Sequence, residues 1–436
     1  MKLKSAIYAM SAIILFSAVM TSCLVNDADS PSPEDLFIKY YGGSATETVV
    51  DIQPFNDQFL VLGNTNSVDV EAGGLNDIYL FSAGSDGELG EERFLDFEGS
   101  GNLSNDVASG FKLFNDNIFI IGSSQVRTGE LGVLGDKFAF YSVYNTQLEQ
   151  QFVDTIGIEG LDIVGNDMIV TSDGNYVILC TIGDEFGGQR NLLYTKVAPD
   201  GTVIWRRVNN LPGDDIGVSL VELSNGNIAI CAETERVSVR GFTGSNVLYL
   251  IINSLGFINN SLTYGTTFQG NSLVDDIPTK MIRDGEGAVI VGSSSTNESE
   301  NPFILPLTAS GAVDSIRVVT IPANNGTENA TLDSRFNDVK RARNGDFILT
   351  GDILNFVSQD PQEGGSKRQE VLFVRTDQLG RQIRSINNFG DNFDESGIAL
   401  DELADGKILI GATVGFGGSN TKIGLIKANS DGRLLK

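Results

Sequence analysis

The sequence contains no histidine, which removes the Ser–His–Asp triad, the His-ligated zinc and the imidazole proton shuttle from its chemistry. Cysteine is nearly as scarce, three in 436 residues, so disulfides do not staple this fold. Basic residues are outnumbered, 30 Lys and Arg against 57 Asp and Glu. A net charge of −27 repels phosphate backbones and excludes nucleic acid as a partner. Long apolar runs are absent except near the start. There Ala6 to Met20 is shorter than the ~20 residues a membrane-spanning helix needs. No long segment of 3.6-residue periodicity follows it, so extended amphipathic helices are not expected.

What is abundant is glycine, 50 of 436 residues, well above the usual ~7%. With 41% hydrophobic residues the chain can bury a core, so the glycine marks turns and not disorder.

The first residues read as an export address over 1–22. Lys2 and Lys4 precede the apolar stretch, and Met20-Thr21-Ser22-Cys23 resembles a bacterial lipobox, with Met20 where Leu is usual. Cys23 is therefore the expected lipidated residue; the alternative is an ordinary cleaved signal with an incidental cysteine. More than one acyl chain on that cysteine gives stable anchoring. Residues 23–36 read as an acidic flexible tether, with prolines and serines and no periodicity. Leu24 after the cysteine, in place of an acidic residue, favours the outer membrane of a cell envelope.

The rest, 37–436, repeats one unit seven times. A short apolar strand closing on a small residue recurs at Gly63, Gly122, Cys180, Cys231, Gly292, Gly351 and Gly411, with steps of 59, 58, 51, 61, 59 and 60. Each unit reads as four strands, A to D. In the first, A is Thr48 to Phe55, B is Gln58 to Asn64, C is Ile78 to Ala83, and D ends at Phe97. Asp173-Gly174, Asn225-Gly226, Asn344-Gly345 and Asp405-Gly406 turn A into B. Asp200-Gly201, Ser310-Gly311 and Asp431-Gly432 are among the turns from C to D. Seven repeats of four short antiparallel strands predict an all-β fold, a seven-bladed β-propeller. Phe37 to Tyr41 matches a D strand with no A, B or C before it, and the last unit lacks D. The N-terminal strand is thus expected to complete the seventh blade and leave no sheet edge.

Phe37-Ile-Lys-Tyr-Tyr-Gly-Gly43, Asp173-Gly-Asn-Tyr-Val-Ile-Leu179 and the segment Leu193 to Trp205 resemble the repeat of secreted bacterial β-propeller proteins. Many of these are lipoproteins of Bacteroidota-type bacteria. The family repeat has Trp where D begins; here Trp205 keeps it, and Phe94 stands there in the first unit. The resemblance implies a propeller and a binding scaffold, and no particular ligand.

Counting back from the residue closing strand B places Glu47, Asp106, Asp162, Asp215, Asp276, Asp333 and Glu395 just before the innermost strands. They are expected to ring one mouth of the central channel. Such a ring suits Ca²⁺, the one cofactor with any support. The same carboxylates equally suit bracing of backbone N–H groups between blades, and no calcium-loop motif is present. Carboxylate pairs such as Asp214-Asp215, Asp275-Asp276 and Asp394-Glu395 open a glycosidase or lyase reading. Sialidase-type Asp boxes are absent, and one tryptophan is too few for a quinone-cofactor site.

The B–C connections are long and dissimilar, and they share a face with the acidic ring. Three carry phenylalanine beside glycine, at Phe186, Phe242 and Phe416, suited to stacking on a sugar or anchoring a protein, or else to pinning their own loops. Cys180 and Cys231 take the slot of the recurring glycine, as small apolar core residues. The expected function is a lipid-anchored, non-catalytic binding module for an envelope protein or a glycan. A carbohydrate-active enzyme and a structural envelope component are the alternatives.

Overall fold

The computed structural model describes residues 35–434 apart from 68–74, 96–103, 129–132, 185–187, 237–243, 267–273, 297–298, 314–315, 323–331, 357–366 and 392. The export signal, Cys23, the tether up to residue 34, Phe186 and Phe242 lie outside the described residues.

The chain folds as seven four-stranded antiparallel blades, each ordered A-B-C-D from the inside out. In blade 1 the strands are Glu47–Phe55, Gln58–Thr65, Asp77–Gly84 and Leu89–Leu95. Blade 2 carries one unforeseen addition, Val133–Leu134, which pairs with the end of its own strand B. Each A strand packs against the A strands of both neighbours, the last against the first, so the ring closes. Blade 7 is built from Glu395–Glu402, Ile408–Gly415, Thr421–Ala428 and, from the other end of the chain, Phe37–Tyr41. Phe37 pairs with Lys427 and Tyr41 with Ile423, the closure expected from the sequence.

Strands B and C are apolar without alternation because both sheet faces are covered by neighbouring blades. Val177-Ile178-Leu179-Cys180 illustrates this. Val177 and Leu179 pack with Ile228, Ile230 and Leu248 of blade 4. Ile178 and Cys180 face the other way, onto Phe119, Ile121 and Tyr141 of blade 2. The D strands are outermost and largely exposed, as in Leu89–Leu95. Seven apolar clusters result, one per blade junction.

The outer seams use one device repeatedly. The Trp205 indole N–H of blade 3 donates to the Ser254 carbonyl in the C–D turn of blade 4, at 3.0 Å. The Tyr41 hydroxyl of blade 7 donates likewise to Gly87 in blade 1, at 2.6 Å, and Tyr264 of blade 4 to Gly311 in blade 5. Gly256 in the turn beneath Trp205 has φ +79°, and a Cβ there would lie 3.0 Å from the indole ring. Both its backbone conformation and the ring's approach therefore require glycine.

Each A strand also contains a bulge opposite strand B, at Val50, Ser109, Asn166, Val218, Thr279, Asn337 and Ile398. This extra residue corrects the repeat alignment. The residues opposite the start of the bulge are Gly63, Gly122, Cys180, Ala232, Gly292, Gly351 and Ala412. Cys231 and Gly411 are thus one position short of the slot assigned to them by spacing. Cys180 and Cys231 are both buried free thiols, and burial pushes both up, Cys180 to about 12.

Candidate functional site

The D–A and B–C connections meet on one face. Arg190 on the blade 3 B–C connection pairs with Asp214 at 2.7 Å, just before strand A of blade 4. Gln369, entering strand C of blade 6, donates its N–H to Asp394 of blade 7 at 3.0 Å.

Pairing register divides the seven expected carboxylates into two sets. Glu47, Asp106, Asp215, Asp276 and Glu395 occupy one equivalent position, opposite Thr65, Ser124, Thr234, Ser294 and Val414 on strand B. All five are buried, at most 4% exposed. Asp162 and Asp333 stand one residue earlier, at the position that Asn105, Asp214, Asp275 and Asp394 fill in other blades. This outer set accepts backbone N–H groups from the preceding blade's approach to strand C. Lys137 N–H lies 2.8 Å from Asp162, Arg190 N–H 3.1 Å from Asp214, Ser245 N–H 2.9 Å from Asp275 and Glu300 N–H 3.2 Å from Asp333. Adjacent carboxylates in the sequence therefore do different work. One points inward, and its neighbour reaches to the previous blade.

The buried set is satisfied in different ways. Glu47 accepts from Gly43 N–H at 2.9 Å, the Thr65 hydroxyl at 3.3 Å and the Lys422 ammonium at 3.2 Å. Asp215 accepts from the Thr234 hydroxyl at 2.6 Å and from the Arg236 guanidinium. Asp276 accepts from Thr266 through its N–H at 2.6 Å and its hydroxyl at 2.7 Å, and from the Ser294 hydroxyl. Burial pushes Asp215 and Asp276 above the usual carboxylate range, only partly offset by these donors. Glu395 differs: opposite it stands Val414, which has no hydroxyl; Asp391 reaches it through its N–H at 3.4 Å and through its carboxyl.

Asp276→Asn replaces an acceptor oxygen by an NH₂ group facing the Thr266 donors. It should cost about 1–3 kcal/mol in urea denaturation. An unchanged midpoint would mean that these hydrogen bonds do not hold the blade 4–5 loop.

Of the three expected aromatics, Phe416 is described. It is 47% exposed and meets the equally exposed Tyr40 edge-on, with ring centroids 5.0 Å apart. Among the described residues no group of three or more His, Cys, Asp or Glu side chains is placed to hold a metal ion.

Two features were not read from the sequence. The first is a charged lining of the innermost strands. The residues following the bulges include Asp51, Asp167, Lys280 and Asp338, with Lys112, Lys340 and Asp401 nearby. Asp167 accepts Leu220 N–H of the next blade at 3.1 Å, and Asp338 accepts Leu400 N–H at 2.9 Å. The twin Asn166-Asp167 and Asn337-Asp338 dipeptides, each on a strand A, were the available signal. The second is a polar cleft of about 440 Å³ between blades 5 and 6 on the D–A and B–C face. Ser299, Glu300, Asp333, Arg335, Asp352 and Gln369 are among its walls. Asp352 is tied to the Arg335 guanidinium, to Ser396 at 2.6 Å and to Asn337 at 3.3 Å.

No family model and no curated protein matches the chain. Solved structures that match it include the polysaccharide lyase Uly1, at 11% identity and TM-score 0.49, over 90% of this chain and 92% of that one. A protein of unknown function from Dyadobacter fermentans DSM 18053 matches at 9% identity and TM-score 0.43, over 91% and 95%. Trypanosoma rangeli sialidase matches at 10% identity and TM-score 0.46, over 88% of this chain and 54% of its own, so the chain spans about half the sialidase's length. At such identities and scores these likenesses carry no argument about function. The seven-bladed β-propeller rests on the chain's own sheets.

Proposed function

We propose that the chain is a lipid-anchored, non-catalytic binding module of a bacterial cell envelope, resembling secreted Bacteroidota-type propeller lipoproteins, which captures a neutral glycan on its D–A and B–C face. The cleft between blades 5 and 6 carries this reading. Hydroxyls from Ser295, Thr296, Ser299 and Ser334 and the Gln369 amide offer both donors and acceptors to a polyol. Glu300, Asp333 and Asp352 outnumber Arg335, so the local field disfavours an anionic sugar. Asp352 already accepts from three internal donors, which suits a positioning wall better than an acid or base in turnover. Anchoring through Cys23 at the outer membrane is supported by the Met20–Cys23 segment and by Leu24.

The test is a glycan array followed by calorimetry on the tightest neutral oligosaccharide. Arg335→Ala and Gln369→Ala should each weaken capture at least about tenfold, the loss of one or two polar contacts. Gln369 is partly exposed, so Gln369→Ala should leave the melting temperature unchanged, whereas Arg335→Ala also removes the cation paired with buried Asp352 and should lower it. Parental affinity in both variants moves the glycan off this cleft. Release of a reducing end by the wild type would establish the enzyme alternative instead.

A further inference from the structure

A second cavity, independent of the glycan reading, lies between blades 6 and 7. It measures about 150 Å³, and Ile38, Tyr40, Phe389, Val414 and Ile426 give it apolar walls around the Glu395 carboxyl. Glu395 is 4% exposed, and its Oε2 has no hydrogen-bond partner among the described residues. A buried acceptor left unmade costs free energy, so this oxygen is the cavity's unsatisfied feature.

The repeat itself indicates what completes such a site. At the same position in blade 1, Glu47 receives the ammonium of Lys422. In blade 4, Asp215 receives the guanidinium of Arg236. In blades 1, 4 and 5 a Thr or Ser hydroxyl opposite the carboxylate also donates. Blade 7 has Val414 in place of the hydroxyl, and among the described residues no cation fills the space next to Glu395 Oε2. Apart from Asp391 and Gly390, which also line the cavity, the walls are apolar, and this suits a donor carried on an aliphatic stem. A lysine side chain combines such a stem with a charged head.

We propose that this pocket binds a primary ammonium on an aliphatic stem, the ammonium donating to Glu395 Oε2 and the stem lying against Tyr40, Phe389 and Val414. Either a lysine of a partner protein or a free alkylamine presents this chemistry. The exposed Tyr40–Phe416 pair stands beside the opening and offers a partner an aromatic contact.

Charge around the site fits a cationic guest. Burial first, then a hydrogen bond shared with the Asp391 carboxyl and the charges of Asp391 and Glu370, push Glu395 up to about 8. The Arg368 guanidinium reaches the Asp391 carbonyl at 3.3 Å. Asp394 is turned toward the Gln369 N–H. The Tyr40 hydroxyl is raised by burial and by Asp391 and Glu395, so it stays neutral. Near neutral pH the Glu395 carboxyl therefore carries a proton, which it loses to solvent as the ammonium arrives and the ion pair forms. Affinity should tighten as pH rises toward the pKa of Glu395 and level off above it.

Calorimetry with n-butylammonium chloride and with the peptide acetyl-Gly-Lys-Gly-amide tests this on the full chain. The dissociation constant should fall about tenfold between pH 6 and pH 7, with about one proton released per molecule bound, and level off above about pH 8. Glu395→Gln should weaken binding more than about tenfold and remove its pH dependence. Val414→Thr restores the hydroxyl of blades 1 and 4 and should weaken and flatten binding without disturbing the fold. A peptide that binds more tightly than butylammonium supports a partner's lysine; the reverse supports a free amine. If neither probe binds at pH 8.5, or both variants bind as the parent does, the proposal is wrong.

Discussion

A chain beginning at Gly42 should not form a stable monomer. The strand it loses, Phe37–Tyr41, is the outer strand of blade 7 and, among the described residues, joins the N-terminal part of the chain to the C-terminal strands within one sheet. Its loss leaves Thr421–Ala428 as an open edge with unpaired N–H and C=O groups. Phe37 and Tyr41 are both buried in the cluster at the blade 7–1 junction. The Tyr41 hydroxyl bonds to Gly87, and Lys39 pairs with Glu88 at 2.7 Å on the same turn of blade 1. Deleting two buried aromatics costs about 3–5 kcal/mol each by the usual core penalties. That sum approaches the whole stability of an ordinary domain, about 5–15 kcal/mol. The expected result is a large drop in the urea midpoint together with oligomers that pair at the open edge. A chain beginning at Asp35 retains every one of these contacts and should match the full-length protein. Equal midpoints for the two truncations would show that blade 7 closes without its fourth strand.

Why this closure was legible in the sequence is instructive. Phe37-Ile-Lys-Tyr-Tyr41 has the β-branched and aromatic make-up of a D strand with no A, B or C before it, while the last repeat ends short of D. Turn dipeptides and the period of the B strands placed the remaining blades to within a residue or two. What escaped was the bulge in strand A. One added residue per blade leaves the outer half of the strand in phase and shifts the inner half, so a count from strand B cannot register it. The A–B turns differ too, two residues in blades 1, 2 and 5 and five in blades 3, 4, 6 and 7, and spacing alone therefore places Cys231 and Gly411 in a slot that Ala232 and Ala412 occupy. Asp162 and Asp333 stand one residue before the position of the other five carboxylates, where blades 3 and 6 carry Ile163 and Ser334. The distinctive environment of Glu395 was beyond the sequence as well. It depends on Val414 lying across the strand pair, a relation fixed by register and not by spacing.

The same bulges create the charged lining of the channel, and there a single substitution should have the second large effect. Lys280 of blade 5 follows its bulge, as Asp51, Asp167 and Asp338 do in blades 1, 3 and 6. Burial pushes the Lys280 ammonium down, but the fields of Asp51, Asp338 and Asp167 more than reverse this and hold it above the ordinary lysine range. Lys112 lies 3.5 Å from Asp167 and Lys340 lies 3.6 Å from Asp401, so the neighbouring cations are already engaged. Lys280→Met keeps most of the stem and removes the charge, leaving three carboxylates around the channel short of one cation. Removing one partner from a buried ionic cluster typically costs about 3–5 kcal/mol. Lys280 is only half-buried, so a loss of about 3 kcal/mol at pH 7 is expected in denaturant titrations. The sign of the pH dependence is defined. A lysine held above its ordinary value contributes fully below that value and loses its contribution only as pH rises through the folded one, so the parent's term is constant from pH 6 to 9. Lys280→Arg restores the charge and should recover most of the stability. A deficit below about 1 kcal/mol would mean that channel water screens the cluster and that backbone donors such as Leu220 and Leu400 alone stabilise these carboxylates.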